Sequence, residues 1–297
     1  MRLNYAIVDV FAEQPLQGNA AAVVFDADGL DAARMQAIAR EFNLSETAFV
    51  LKPRAAAHTA RVRLFVPNAE VPFAGHPNIA TAFALAQRHD LATDELVFDE
   101  QAGLVPLRLI RAQGAVTGAT LTAPQTLSTE PGPSSAATAA ALSLADGDVL
   151  TATHPPVTAS VGLGFLFVEL TDKAALARAR VNLPAFDAIR ASHAVEAVHL
   201  YVKEPAASGT RIQARNLSPY DGIGEDPATG SATATLAALL AQHDPRADCD
   251  FALEARQGIE MGRPSLLHAT ARKRAGEVAP PQVSGKCVQV MEGTLTI

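Results

Sequence analysis

The chain has 297 residues, of which 48% are hydrophobic and 19% charged, with a formal net charge of -7. That length admits one large domain or two ordinary ones, and the apolar content excludes a disordered chain. Arg and Lys are scattered singly or in short groups, as in "ARKRAGE", so no basic stripe offers itself to nucleic acid.

The first residues, "MRLNYAIVDVFAEQP", alternate like a strand and meet polar groups too early for the core of a signal peptide. No run approaches the ~18 consecutive apolar residues of a membrane span. The expectation is therefore a cytoplasmic protein with no membrane partner. Cys249 and Cys287 are the only cysteines. They are too few for a disulfide framework, stand in no metal-binding pattern, and read as reduced thiols.

In chain order, "LNYAIVDVF" and "NAAAVVFDA" predict strands, and "DGLDAARMQAIAREFN" predicts an amphipathic helix capped by Asp31. "ETAFVLK" and "ARVRLFVP" predict strands, "GHPNIATAFALAQRH" a helix, and "ELVFDE", "LVPLRLIR" and "AVTGATLTA" short strands. The Pro, Ser, Thr and Gly of "PQTLSTEPGP", residues 124–133, read as a linker or surface crossing. This places one domain over residues 1–123 and a second over 124–284. In the second, "SSAATAAALSL" predicts a capped helix, "TASVGLGFLFVEL" one buried strand, "LPAFDAIRAS" a helix and "VEAVHLYVKE" a strand.

The order strand, helix, strand, glycine-opened helix thus occurs twice. Setting Gly75 over Gly230 aligns "GHPNIATAFALAQ" with "GSATATLAALLAQ", with five identities in thirteen positions, which points to two pseudo-repeats. Each copy opens a helix with glycine and a small or polar residue. The first backbone N–H groups of a helix have no partner within it, and the dipole there favours an anion. For either helix alone, capping by Asp, Thr and Ser would account for "DPATGS". The repetition, together with Glu46, His76, Glu225 and Asp226 near corresponding elements, favours a pair of mouths that hold a carboxylate.

"NLSETAFV" (43–50), "PNAEVPFAGHP" (67–77), "GEDPATGSA" (224–232) and "QGIEMGRPS" (257–265), with "GNAAAVV" (18–24) at a Gly-Asn turn, together resemble the PhzF family of phenazine-biosynthesis isomerases. The resemblance covers nearly the whole chain. It implies an α+β architecture like that of diaminopimelate epimerase, with two pseudo-symmetric domains. Each would be a mixed, curled sheet around a central helix, with the active site between the domains and the last strand, about 285–297, returning to the first. It further implies that Glu46 is the general acid/base and that His76 and Asp226 are catalytic partners. Gly75, Gly230 and Ser231 would bind the substrate. The reaction would be cofactor-independent isomerisation of a small carboxylic acid by proton transfer, with a homodimer as the assembly. Asn78 stands where many relatives carry Thr, and Ile223 and Gly224 precede the acids of "EDPATGS"; these departures leave the substrate open.

Rival readings have less to support them. A two-thiol epimerase needs a cysteine at each mouth, and both cysteines lie elsewhere; a racemase using Glu46 and another acid stays open. "DPATGSAT" lacks the lysine of a phosphate loop, the lone GxG of "VGLGFLF" fits a close-packed strand, and the histidines show no metal spacing. No metal or other cofactor is expected. A catalytically idle binding protein on the same fold is the remaining alternative.

Overall fold

The computed structural model describes residues 1–89, 91, 93–220 and 222–297. The chain divides into two compact units, residues 1–122 with 284–297, and residues 123–283.

The first unit runs β1 (Arg2–Val10), β2 (Asn19–Val24), α1 (Ala32–Phe42), β3 (Glu46–Leu51), β4 (Ala60–Val66), β5 (Ala69–Val71), α2 (Gly75–Arg88), β6 (Glu95–Glu100), β7 (Gly103–Ala112) and β8 (Ala115–Thr122). β2 and β3 are parallel, β3–β4 and β4–β5 antiparallel, β4 and β6 parallel, and β6–β7 and β7–β8 antiparallel. α1 starts where Asp31 accepts from the Arg34 N–H, and turns its Met35, Ile38 and Ala39 into a core with Leu3, Val24, Phe49 and Phe65.

The second unit runs β9 (Ser128–Pro131), α3 (Ser135–Ala141), β10 (Val149–Leu150), β11 (Val157–Ser160), β12 (Gly164–Leu170), α4 (Lys173–Arg178), α5 (Leu183–His193), β13 (Val198–Glu204), β14 (Thr210–Ser218), β15 (Gly224–Asp226), α6 (Gly230–His243), β16 (Cys249–Gln257), β17 (Ser265–Arg274) and β18 (Glu277–Val278). The last strand, β19 (Gln282–Thr296), pairs antiparallel with the whole of β1, from Arg2 opposite Thr296 to Val10 opposite Cys287.

The internal order of the second unit repeats the first. β12–β13 are parallel like β2–β3, β13–β14 and β14–β15 antiparallel like β3–β4 and β4–β5, β14–β16 parallel like β4–β6, and β16–β17 antiparallel like β6–β7. In each copy the glycine-opened helix of 14 residues follows a three-residue strand, β5 in the first and β15 in the second. α2 packs against β1, β2, β3, β7 and β8, and α6 against β11, β12, β16, β17 and β18. Strands on so many sides mean that each sheet curls around its helix. The sequence allows this, because all residues of α2 from Gly75 to Leu85 are buried and most are small. In α6 Gly230 and Ala232 to Ala241 are buried. A helix apolar all round belongs inside a core. Thr81, Thr233 and Thr235 are accommodated there by donating to the carbonyls of Pro77, Thr229 and Ser231. The mixed sheets with few helices make the fold α+β.

Two local expectations change. "TASVGLGFLFVEL" is two antiparallel strands, β11 and β12, because the chain reverses at Gly162, whose φ of +137° suits only glycine. The stretch read as a linker contains β9, which pairs with β11 as an exposed edge; edge pairing needs backbone groups, not apolar side chains, so composition did not announce it. Among the described residues no helix is long and apolar enough to cross a membrane.

Candidate active site

Four of the helices are capped in the ordinary way: Asp31, Ser134, Asp172 and Asn182 accept the N–H of Arg34, Ala137, Ala175 and Ala185. α2 and α6 are not. Among the described residues, neither Ala74 before α2 nor Thr229 before α6 offers a side-chain cap. The two helices that form the centres of their units are thus the two that leave their N-terminal dipoles uncovered by a cap.

At the α2 mouth, Gly75 is the first helical residue and His76 the second. His76 Nδ1 lies 2.8 Å from Glu46 Oε2, with the imidazole side chain 6% exposed and the Glu46 side chain 20% exposed. Glu46 opens β3 opposite Ala21 of β2, and its neighbour Ser45 donates to Asn19 Oδ1 at 3.0 Å. Asn19 is buried, so the Gly-Asn turn pins the strand end that carries Glu46. Pro77 follows in the first turn, where its missing N–H costs nothing. Asn78 Nδ2 donates to the Ala74 carbonyl at 2.9 Å and closes the entry to the helix. The result is a largely buried carboxylate paired with a buried histidine.

At the α6 mouth, Gly230 and Ser231 hold the positions of Gly75 and His76, with Ser231 half-buried. Asp226, the last residue of β15, accepts the Thr229 hydroxyl on Oδ2 at 2.6 Å. The fully buried Gln257 brackets this turn. Its Nε2 donates to the Asp226 carbonyl at 2.8 Å and to Thr229 Oγ1 at 3.0 Å, while its Oε1 accepts the Thr229 N–H at 3.1 Å. Ser265 donates to the Pro227 carbonyl at 2.9 Å. Gly258 has φ +72°, and a Cβ there would meet Arg263 O at 2.4 Å and Pro227 O at 2.6 Å. The "QGIEMGRPS" stretch is therefore the brace of the Asp226 turn.

The structure thus brings Glu46, Gly75 and His76 together in the first unit, and Asp226, Gly230 and Ser231 together in the second. Gln257, Ser265, Asn19 and Ser45 lay inside quoted motifs, yet their supporting part follows only from the contacts. Glu225 is occupied elsewhere. It receives a two-pronged bond from the buried Arg215, both at 2.8 Å, and Arg215 also donates to the carbonyls of Leu176 and Ala179 at the end of α4. Arg63 and Glu70 form the matching fork in the first unit, at 2.7 and 2.6 Å. Each fork ties the short strand that leads to an uncapped helix to its antiparallel neighbour, β15 to β14 and β5 to β4. Among the described residues no group of three or more His, Cys, Asp or Glu is placed to hold a metal ion.

A family model described as phenazine biosynthesis-like protein, PhzC-PhzF, matches residues 8–293. The chain is 39% identical over 299 residues to the trans-2,3-dihydro-3-hydroxyanthranilate isomerase of Pseudomonas fluorescens, covering 99% of each. It is 36% identical over 302 residues to an uncharacterized isomerase of Mesorhizobium japonicum, again with 99% of each covered. Among solved structures, a phenazine biosynthesis protein of the PhzF family from Bacillus anthracis superposes with a TM-score of 0.87 at 24% identity, covering 100% of both chains. A hydroxyproline epimerase from Agrobacterium vitis does so at 0.62 and 14% identity, over 99% of this chain and 92% of that one. These two structural likenesses concern the fold.

Proposed function

Since the chain belongs to the PhzC-PhzF family, we propose that it is an isomerase that moves a proton within a small carboxylic acid without a cofactor, with Glu46 as the acid/base. Curated relatives carry the isomerase name. The observation that carries the mechanism is the 2.8 Å pairing of Glu46 with His76 at an uncapped helix mouth.

In this reading Glu46 takes a proton from a substrate carbon next to an unsaturated group. The C–H electron pair becomes part of a shifted double bond, and the same carboxyl returns the proton to the far end of that system. Atoms and electrons balance without an oxidant or a second substrate. His76 keeps the carboxylate in place through both transfers, and the charge that develops on the substrate is met by the helix dipole and by preorganised N–H groups. Asp226 is a further catalytic group in this proposal, and Gly230 and Ser231 bind a substrate carboxylate at the α6 mouth. A dihydro-hydroxyanthranilate is the first acid to try, because relatives at 38 to 39% identity are named for it.

The test is incubation with dihydro-hydroxyanthranilate and a panel of small amino and hydroxy carboxylic acids in deuterated water, read by mass and by NMR. Isomerisation or carbon-bound exchange in the wild type, lost in Glu46→Gln, supports the proposal. Activity that survives Glu46→Gln but not replacement of His76 or Asp226 reassigns the base. Binding without turnover of any acid would favour a binding protein on the same fold.

A further inference from the structure

Thr229 stands at the entry to α6 and is of a residue type that ordinarily caps a helix, yet its side chain makes no cap. Its hydroxyl is engaged elsewhere, and the direction of each bond is fixed. Gln257 Oε1 accepts the Thr229 N–H, and its Nε2 donates to the Asp226 carbonyl, so the two ends of this amide cannot be exchanged. The same Nε2 donates to Thr229 Oγ1 at 3.0 Å. A hydroxyl has one hydrogen. With Gln257 donating to the oxygen, that hydrogen goes to Asp226 Oδ2, 2.6 Å away, a length in the range of a hydroxyl that donates to a carboxylate. Gln257 and Thr229 are both buried, which limits competition from water. Because the hydroxyl is committed to Asp226, it takes none of the first N–H groups of α6.

The first unit supplies an internal comparison. Placing Gly75 over Gly230 sets "EVPFAGHP" (70–77) over "EDPATGSA" (225–232). Ala74 then stands at the place of Thr229 and Val71 at that of Asp226, while the glutamate of each fork, the proline and the glycine recur. Both helix entries close in the same way. Asn78 Nδ2 donates to the Ala74 carbonyl, and Thr233 Oγ1 to the Thr229 carbonyl, each from four residues further on. The entry itself therefore needs no hydroxyl at this place, and the hydroxyl accompanies the acid. We infer that Thr229, oriented by Gln257, is a positioning residue for the proposed reaction: its hydroxyl holds Asp226 as a carboxylate in one orientation. The inference rests on the functional reading given above, in which Asp226 is a catalytic group.

The experiment compares the wild type with Thr229→Val, which keeps the shape and removes the hydroxyl, and with Thr229→Ser, which keeps the hydroxyl. Thr229→Ala, carrying the residue that the first unit has at this place, stands in if the valine variant does not fold. Crystal structures of the three proteins should show the Asp226 carboxylate turned from its wild-type position in Thr229→Val and in place in Thr229→Ser. With dihydro-hydroxyanthranilate as substrate, kcat should fall about ten-fold or more in Thr229→Val, as expected for one lost hydrogen bond to a charged group. KM should change less than kcat, and Thr229→Ser should stay within about three-fold of wild type, because it keeps that bond. An unmoved carboxylate in Thr229→Val, equal losses in the serine and valine variants, or a loss carried by KM with kcat unchanged would overturn the inference. A wild type that does not isomerise this acid counts against the substrate reading, and the position of Asp226 in the variant crystal structures then still decides the part played by Thr229.

Discussion

Replacing Glu100 by Gln should make the protein more stable in a way that grows with pH. The carboxyl is 5% exposed and is raised by burial from an ordinary value of 4.5 to about 8. Between those values the folded chain holds a proton that the unfolded chain has released. Folded protein therefore binds more protons, and stability falls as pH rises through this window, levelling off above 8. Each pH unit is worth about 1.4 kcal/mol, so the window represents a cost of about 5 kcal/mol as an upper bound, and about 2 to 5 once water and side-chain relaxation are allowed for. Gln at this position has no such cost. Urea unfolding followed by circular dichroism at pH 5, 6, 7, 8 and 9 gives the difference in free energy between variant and wild type at each pH, from which all other titrating groups cancel. The difference should widen toward pH 8 and then stay constant. Parallel curves from pH 5 to 9 would show that Glu100 ionises as readily in the folded chain as in water, and the burial argument would fail.

Glu46→Gln should lower turnover by ~10² to 10⁴ fold while leaving substrate binding measurable by calorimetry, the loss typical of a positioned acid/base. Ser231→Ala should weaken a carboxylate ligand by roughly 1.5 to 3 kcal/mol, one charge-assisted hydrogen bond, and unchanged affinity would place the anion away from the α6 mouth. Arg215→Met should destabilise the protein by roughly 3 to 5 kcal/mol in chemical denaturation, because it strands Glu225 and uncovers the carbonyls at the end of α4. His199 is fully buried and lowered by that burial from 6.5 to about 4. Only the unfolded chain takes up its proton in this window, so stability should fall as pH drops from 6.5 to 4, and His199→Leu should lose about 3 kcal/mol of that dependence.

What the sequence determined by itself is local or repeated. Asp31 and the apolar spacing behind it specify α1, since the cap and the buried face lie within a few turns of one another. Gly75 and Gly230 open helices of the same length because the repeat carries its own start signal, and the quoted motifs lead to Glu46, His76, Asp226 and Ser231 without any coordinates. The tertiary structure decided what these residues touch. Glu46 meets His76 because a parallel strand pair and a helix entry bring together residues thirty positions apart. Gln257 comes back to Thr229 over a separation of 28 residues. Glu225, as acidic in the sequence as Asp226 beside it, is taken by Arg215 because alternate residues of a strand point to opposite faces. "VGLGFLF" looks continuous until Gly162 reverses it. Glu100 reads as one polar residue at the end of a strand. Only the folded chain leaves it 5% exposed, and composition or periodicity contains no term for solvent that is excluded by other parts of the chain.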